Sequence, residues 1–188
     1  MAQIAYDCVS DRAAQTADRD AFVAAMRRAA TAVAVVATSG PAGRLAVTVS
    51  AIASVSADPP IVLACINRRS PVCDAIRANG VFTINLLTAD QAHVADTFAG
   101  RSHGFLPFDF ACADWHEIGT PVAPCLDDAL CSFHCRLQEA HDAGTHAILL
   151  GQVSATVSRD AMPLIYADRH YAAPRPMLDT VLTTGAQS

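Results

Sequence analysis

Residues 46–70, AVTVSAIASVSADPPIVLACINRRS, carry most of the side chains whose types and spacing suit ligand chemistry. Thr48, Ser50, Ala51, Ser54 and Ser56 are small and are interleaved with the β-branched Val47, Val49, Ile52 and Val55. Small positions let a flat ligand lie against the backbone, while hydroxyls and free amides donate to its carbonyl or phosphate oxygens. The same pattern also describes an ordinary buried strand. Asn67-Arg68-Arg69-Ser70-Pro71 then opens a helix: Ser70 suits the N-cap, Pro71 the first helical position and Asp74 the first turn. Two arginines beside a helix N-terminus make an anion site, or else two solvated charges.

The elements that must position these residues follow from local signals. One strand is expected from Ala46 to Ser56, stopped at Asp58-Pro59-Pro60 because proline lacks an N–H and holds its predecessor extended. The next strand, Ile61–Ile66, is apolar throughout, as in a strand buried on both faces. Upstream, Asp20–Ala29 reads as a packing helix with Phe22, Val23, Met26 and Ala29 or Ala30 on one face and Asp18 or Asp20 as cap. Thr31–Thr38 is a strand, and Ser39-Gly40-Pro41-Ala42-Gly43 turns it back into the Ala46–Ser56 strand as a hairpin.

Downstream, Asn79-Gly80 closes the helix from Pro71 to Ala78, and Val81–Leu87 is a strand. Thr88 and Gln91 form a capping box for a helix over Ala89–Phe98, with Gly100 as its stop and Arg101 complementing its dipole. Residues 102–114 are irregular, and Phe105, Phe108 and Phe110 are available to cover a ligand or a dimer partner. Trp115–Asp128 reads as a connection. Strands Ala129–Glu139 and Ala147–Val157 flank a turn at HDAGTH, residues 141–146, and Leu164–Tyr166 is the last strand.

Composition narrows the function classes. The chain has 188 residues, enough for one domain with a substantial core, expected over residues 18–171 between tails at 1–17 and 172–188. A net charge of −5 with scattered basic residues gives no support for nucleic-acid binding. No apolar run is long enough for a membrane span, and the N-terminus has no basic start followed by an apolar block, so a cytoplasmic protein is expected.

Seven cysteines without a CxxC pair, Cys8, Cys65, Cys73, Cys112, Cys125, Cys131 and Cys135, read as free thiols in a reducing compartment. Cys131, His134, Cys135 and His141 match no usual zinc spacing. In a strand, 131 and 135 face away from 134, so no metal site is expected.

Short strands separated by proline and glycine turns, with few helices and no βαβ alternation, favour a mainly β chain closed into an antiparallel barrel. No GxGxxG follows a strand, which argues against a Rossmann nucleotide domain.

The run Thr48-Val49-Ser50-Ala51, Ser54-Val55-Ser56, Asp58-Pro59-Pro60 and Cys65-Ile66-Asn67 with Ser70 resembles the flavin reductase family. The resemblance continues through Phe98-Ala99-Gly100 and HDAGTH to Pro163-Leu164-Ile165-Tyr166, covering roughly residues 20–171. These small NAD(P)H:flavin oxidoreductases supply reduced flavin to two-component monooxygenases, many of them aromatic hydroxylases. The resemblance implies a Greek-key split β-barrel of the FMN-binding type, paired as a homodimer with flavin sites near the interface. It also implies FAD or FMN and NADH or NADPH as ligands, and a separate monooxygenase that receives reduced flavin, in some cases by diffusion.

Carried over residue by residue, the resemblance places Thr31 beside the flavin and Phe98, Ala99 and Gly100 in a loop that approaches it, with Arg101 reaching a phosphate. His146 falls on the nicotinamide side, and Tyr171 lies in a basic-aromatic stretch near the cofactor. Two departures stand out. Asp109 precedes Phe110 where the family often has a basic residue before an aromatic one, and Ala172 replaces the family's histidine or glycine after Tyr171.

Hydride transfer asks little of side chains, because the cofactors carry the chemistry. Donors along Thr48–Ala51 and Cys65–Asn67 are expected to hold the ring oxygens and stabilise charge growing there. Ser54, Ser56 and Ser70, with Arg68 or Arg101, are expected at the ribityl chain and phosphate. No general base is required. A non-catalytic flavin- or haem-binding barrel, a pyridoxamine-phosphate-type FMN oxidase and a thiol-rich scaffold remain as alternatives, distinguished by flavin binding and nicotinamide oxidation.

Overall fold

A computed structural model describes residues 17–101 and 104–175. The expected tails at 1–17 and 172–188 fall largely outside those residues, as do Cys8, Ser102 and His103.

Helix α1 spans Arg19–Met26, and the Asp18 carboxylate caps it by accepting from the Ala21 N–H at 3.0 Å. Strands β1 (Thr31–Ala32), β2 (Ala34–Thr38), β3 (Leu45–Val49), β4 (Ile52–Ala57) and β5 (Pro60–Asn67) follow. Helix α2 (Pro71–Asn79) starts at Pro71 and stops at Gly80, whose φ of +71° is the left-handed conformation that glycine reaches without strain. Strand β6 (Val81–Leu86) leads through a short 3₁₀ turn into helix α3 (Ala92–Phe98). After it come β7 (Trp115–Ile118), β8 (Ala123–Leu126), β9 (Cys131–Ala143), β10 (His146–Ser158), β11 (Ile165–Ala167) and β12 (His170–Ala172).

Seven strands form one antiparallel sheet in the order β3-β2-β6-β9-β10-β5-β4. β3 and β4 lie at its opposite edges yet are joined in sequence by Ser50 and Ala51 alone. The sheet therefore curls to bring those edges toward each other without a ladder between β3 and β4, and the Cys65 N–H donates to the Ala51 carbonyl at 2.9 Å, carrying the β4–β5 pairing one residue past Ile52. Residues 46–56 are thus two strands rather than one. A single flat strand cannot belong to both edges of a closing sheet, and the chain breaks at the small pair Ser50-Ala51.

β2 explains how the barrel is filled, because it is buried on both faces. Ala34 and Val36 join Ile66, Ile84, Phe82 and Leu149 in one cluster, while Val35 and Ala37 join Val94, Ala95 and Phe98 of the α3 side in another. In β10, Gly151 leaves room for the Phe82 ring: a Cβ there would lie 2.5 Å from Phe82 Cζ.

Trp115–Asp128, expected as a connection, contains the β7–β8 hairpin. Its anchor is the buried Asn85, whose side-chain oxygen accepts from the Leu126 N–H at 3.0 Å and the Ser132 hydroxyl at 2.8 Å. The Asn85 amide donates in turn to the Val35 carbonyl at 3.1 Å. The expected turn at 141–146 is tighter, since β9 runs to Ala143 and β10 restarts at His146. Leu164–Tyr166 is not the final strand either, because β12 pairs with β11 through Tyr166 and Tyr171 and includes Ala172.

Two further expectations need correction. Helix α1 buries none of its residues within this chain, leaving Phe22 and Met26 58% and 54% exposed. Phe110 is not a free cover residue: it packs edge-on against Phe98 and Trp115 at 5.1 and 5.0 Å, with the Arg44 guanidinium 4.3 Å from its ring centre.

Candidate functional site

The strand break places Ser50 in a hollow of about 180 Å³, lined by Val33, Thr48, Val49, Ala99, Arg101, Tyr166 and Tyr171. Three elements meet here because their polar ends are tied together. The Thr48 hydroxyl donates to the Ala95 carbonyl at 2.7 Å, fastening β3 to α3. Gly100, at φ +76°, then turns the chain so that Arg101 doubles back on α3, its N–H bonded to the Asp96 carbonyl at 2.8 Å. Arg101 Nε meets the Asp96 carboxylate at 3.1 Å and its Nη2 donates to the Tyr171 hydroxyl at 3.0 Å. Tyr171 completes the triangle by donating to Asp96 at 3.0 Å. Burial first, and then the hydrogen bond to Asp96, push the Tyr171 phenol up to about 12, so it stays a neutral donor. The charge of Arg101 is therefore answered by Asp96, and this hollow presents hydroxyls and a flat aromatic wall rather than a bare cation.

A second hollow, about 690 Å³, opens at the end of β5 and the start of α2. Arg19, Asn67, Arg68, Arg69, Cys73, Asp74, Arg77, Gly144 and Thr145 line it. The Cys65–Ala51 bond brings the strand break of the first hollow within two residues of Asn67 in the second. Asn67 shapes the loop: its side-chain oxygen accepts from the Arg69 N–H, and its carbonyl from the Ser70 N–H, both at 2.9 Å. Ser70 makes no side-chain cap bond, so α2 begins on Pro71 and backbone geometry, and the Ser70 hydroxyl is left over.

The arginines of this hollow differ in engagement. Arg68 donates from its backbone to the Thr145 carbonyl at 3.0 Å, and its guanidinium meets Asp142 at 3.1 Å. Arg77 reaches the same carboxylate at 2.5 Å. The hydrogen bond from Arg77, joined by the charges of Arg68 and Arg77, holds the Asp142 carboxyl below the usual aspartate value. The Arg69 guanidinium has no partner among the described residues, which leaves it the cation best able to meet an incoming anion.

The other expected site residues are distributed unevenly. Val49 and Ile66 are buried, and Phe98 is completely so in its aromatic cluster, so their side chains face the core and only backbone at these positions can reach a ligand. Cys65 is half-buried, and its thiol is raised by burial. Thr31 sits in β1, its hydroxyl 3.5 Å from the Tyr166 carbonyl, and does not line either hollow. Ser54 lines a third, apolar hollow of about 300 Å³ with Ile52, Val62, Leu63, Ile84, Leu86 and Phe133, while Val55 is 50% exposed and Ser56 half-buried. The structure thus separates Ser54 from Ser50, because a strand break lies between them.

His146 is exposed at the start of β10, opposite Asn67 in register, with Nδ1 2.9 Å from the Thr145 hydroxyl. Its neighbour Ala147 is fully buried, so strand alternation turns the imidazole away from the barrel interior. Tyr166, Asp96 and Asp142 were not singled out from the sequence. Asp96 carried one usable signal, an acidic residue on the helix that stops just before Arg101. In β9, His134 is buried, with Nδ1 2.6 Å from the Ser154 hydroxyl and Nε2 2.8 Å from the Pro121 carbonyl, so both ring nitrogens already have protein partners.

The flavin reductase like domain family matches residues 26–175. FMN reductase (NADH) RutF 2 of Methylorubrum extorquens is 42% identical over 160 residues, covering 83% of this chain and 90% of its own. FMN reductase (NADH) RutF of Variovorax paradoxus is 41% identical over 156 residues, covering 80% and 84%. Among solved structures, the flavin reductase PheA2 superposes with a TM-score of 0.77 at 27% identity, covering 85% of this chain and 99% of its own. BorF, the flavin reductase component of a bacterial two-component tryptophan halogenase, gives a TM-score of 0.75 at 29% identity, covering 85% of this chain and all of its own (100%). The mainly β fold with three short helices is the split barrel of those structures, and the chain belongs to the flavin reductase family.

Proposed function

We propose that this flavin reductase uses NADH to reduce FMN and releases the reduced flavin to a separate monooxygenase, reached by diffusion. The observation that carries the reading is the pair of hollows linked by the Ala51–Cys65 bond, one at Ser50, neutral and aromatic, the other at Asn67, rich in arginine. Their donor chemistry fits a flavin nucleotide, whose ring is flat and whose far end is anionic. The choice of FMN and NADH rests on the names of the RutF relatives.

When bound, flavin supplies the hydride-accepting ring, and the protein's work is placement and electrostatics. Ser50 and Ala51 keep the strand break low so that a ring can lie on it. Arg101, fixed by Asp96, offers its remaining guanidinium N–H groups at the edge of the first hollow, and Tyr171, its proton committed to Asp96, offers its ring as a wall. The Asn67 amide and the Ser70 hydroxyl face the polar end, where Arg69 meets a phosphate. His146, raised at the hairpin end beside Asn67, orients the nicotinamide. No residue is required to move a proton.

The exposed β4 edge and its apolar hollow, with Val55 outside, support a homodimer formed through this side of the barrel. Free thiols, most of them buried, suit a reducing cytoplasm. No helix among the described residues is long and apolar enough to cross a membrane.

The test is oxidation of NADH or NADPH by the purified protein with FMN or FAD, read from loss of reduced-nicotinamide absorbance. Flavin-dependent turnover that is fastest with NADH and FMN supports the proposal. Flavin binding without nicotinamide oxidation overturns it. His146→Ala is expected to raise KM for NADH while flavin affinity stays unchanged, and the reverse pattern removes His146 from the nicotinamide side.

A further inference from the structure

Asp142 lies four residues before His146 and is given no ligand contact of its own, yet it joins the hairpin end to α2 and to the β5–α2 loop. It stands at the end of β9, just before the Gly144-Thr145 turn, and its two carboxylate oxygens are divided between Arg77 of α2 at 2.5 Å and Arg68 of the β5–α2 loop at 3.1 Å. Arg68 grips the same turn by two further bonds, from its backbone N–H to the Thr145 carbonyl at 3.0 Å and from Nη1 to the Gly144 carbonyl at 3.4 Å. His146 follows immediately, and it lies opposite Asn67 in the β5–β10 register.

From this arrangement we infer that Asp142 is a positioning residue: a two-arginine latch that holds the hairpin end against α2 and so sets where His146 stands for the nicotinamide. The inference rests on the reading of His146 given above. β5 holds β10 as far as His146, but β9 beyond Arg136 has β10 as its sole strand neighbour among the described residues, and such an end is free to sway unless something beyond its own ladder restrains it. Asp142 supplies that restraint from the far side, through α2. It also occupies Arg68, which leaves the neighbouring Arg69 as the cation facing outward.

The test compares the wild-type chain with Asp142→Asn, Asp142→Glu, Arg77→Met, the Asp142→Asn/Arg77→Met double variant and His146→Ala. Steady-state kinetics are run separately in NADH and in riboflavin, which lacks the phosphate that the arginine-lined hollow meets, together with thermal melts and amide hydrogen exchange over residues 143–147. Asp142→Asn and Arg77→Met are expected to raise KM for NADH about fivefold while kcat and KM for riboflavin stay within about twofold. The double variant should match the worse single variant rather than their product, since both break one contact. Asp142→Glu should restore most of the affinity for NADH, which a merely structural change would not predict. Lowered melting temperatures with unaltered NADH kinetics overturn the latch, as does a joint rise in both KM values. If His146→Ala leaves KM for NADH unchanged, the nicotinamide reading fails on its own; the latch is then decided by exchange alone, and unchanged exchange in Asp142→Asn overturns it.

Discussion

The Thr48 hydroxyl donates to the Ala95 carbonyl at 2.7 Å, so the strand that carries the cradle and the helix that ends in Ala99-Gly100-Arg101 are fastened to each other 47 residues apart. Thr48 thus serves the site by holding its two walls together rather than by offering its proton to a ligand. Thr48→Val keeps the shape and leaves the Ala95 carbonyl without that donor. The expected cost is about 1 kcal/mol, or a melting temperature lower by about 2–4 °C. Flavin affinity should weaken several-fold as the walls loosen; a calorimetric titration showing unchanged affinity would mean that the hollow does not depend on this tie.

Ser50 is exposed at the strand break and lines the smaller hollow. A leucine there would fill a space of about 180 Å³ without disturbing a buried neighbour. Ser50→Leu is therefore expected to abolish flavin binding while its melting temperature stays close to wild type. Full reductase activity in a folded Ser50→Leu protein would move the flavin elsewhere.

Arg68 and Arg69 are adjacent but differently engaged, and riboflavin, which lacks the phosphate, separates their roles. Arg69→Ala should raise KM for FMN about tenfold, equivalent to one charge-assisted contact of about 1.4 kcal/mol. Turnover with riboflavin should not change. An equal loss for both flavins would show that Arg69 does not read the phosphate.

Asp142 gives a pH dependence whose sign follows from its arginines. Its folded pKa lies below the ordinary aspartate value, chiefly through the hydrogen bond from Arg77. The unfolded chain therefore binds the proton more readily than the folded one. The stabilisation is present above the ordinary aspartate value and disappears as pH falls through the lowered folded value. Melting temperatures of wild type and Asp142→Asn should differ near neutrality and converge in acid. A gap that persists in acid would assign the difference to something other than this ionisation.

Much of this protein was legible in its residues. Ser70, Pro71 and Gly80 marked both ends of α2, because helix starts and stops are set by local backbone chemistry. The 46–70 run and HDAGTH carried the family, and with it the barrel and its flavin. What the residues could not show depended on partners far away in sequence. Nothing local distinguishes a continuous strand at 46–56 from two that part at Ser50-Ala51; only the curling of a seven-stranded sheet decides it. The β7–β8 hairpin looked like a connection because its anchor, Asn85, lies 41 residues from Leu126. The same holds for Arg101, which the sequence offered as a charge at a helix end or a phosphate contact. Tertiary structure set it between Asp96 and Tyr171, 70 residues further on, and that neighbour determines what charge a ligand meets.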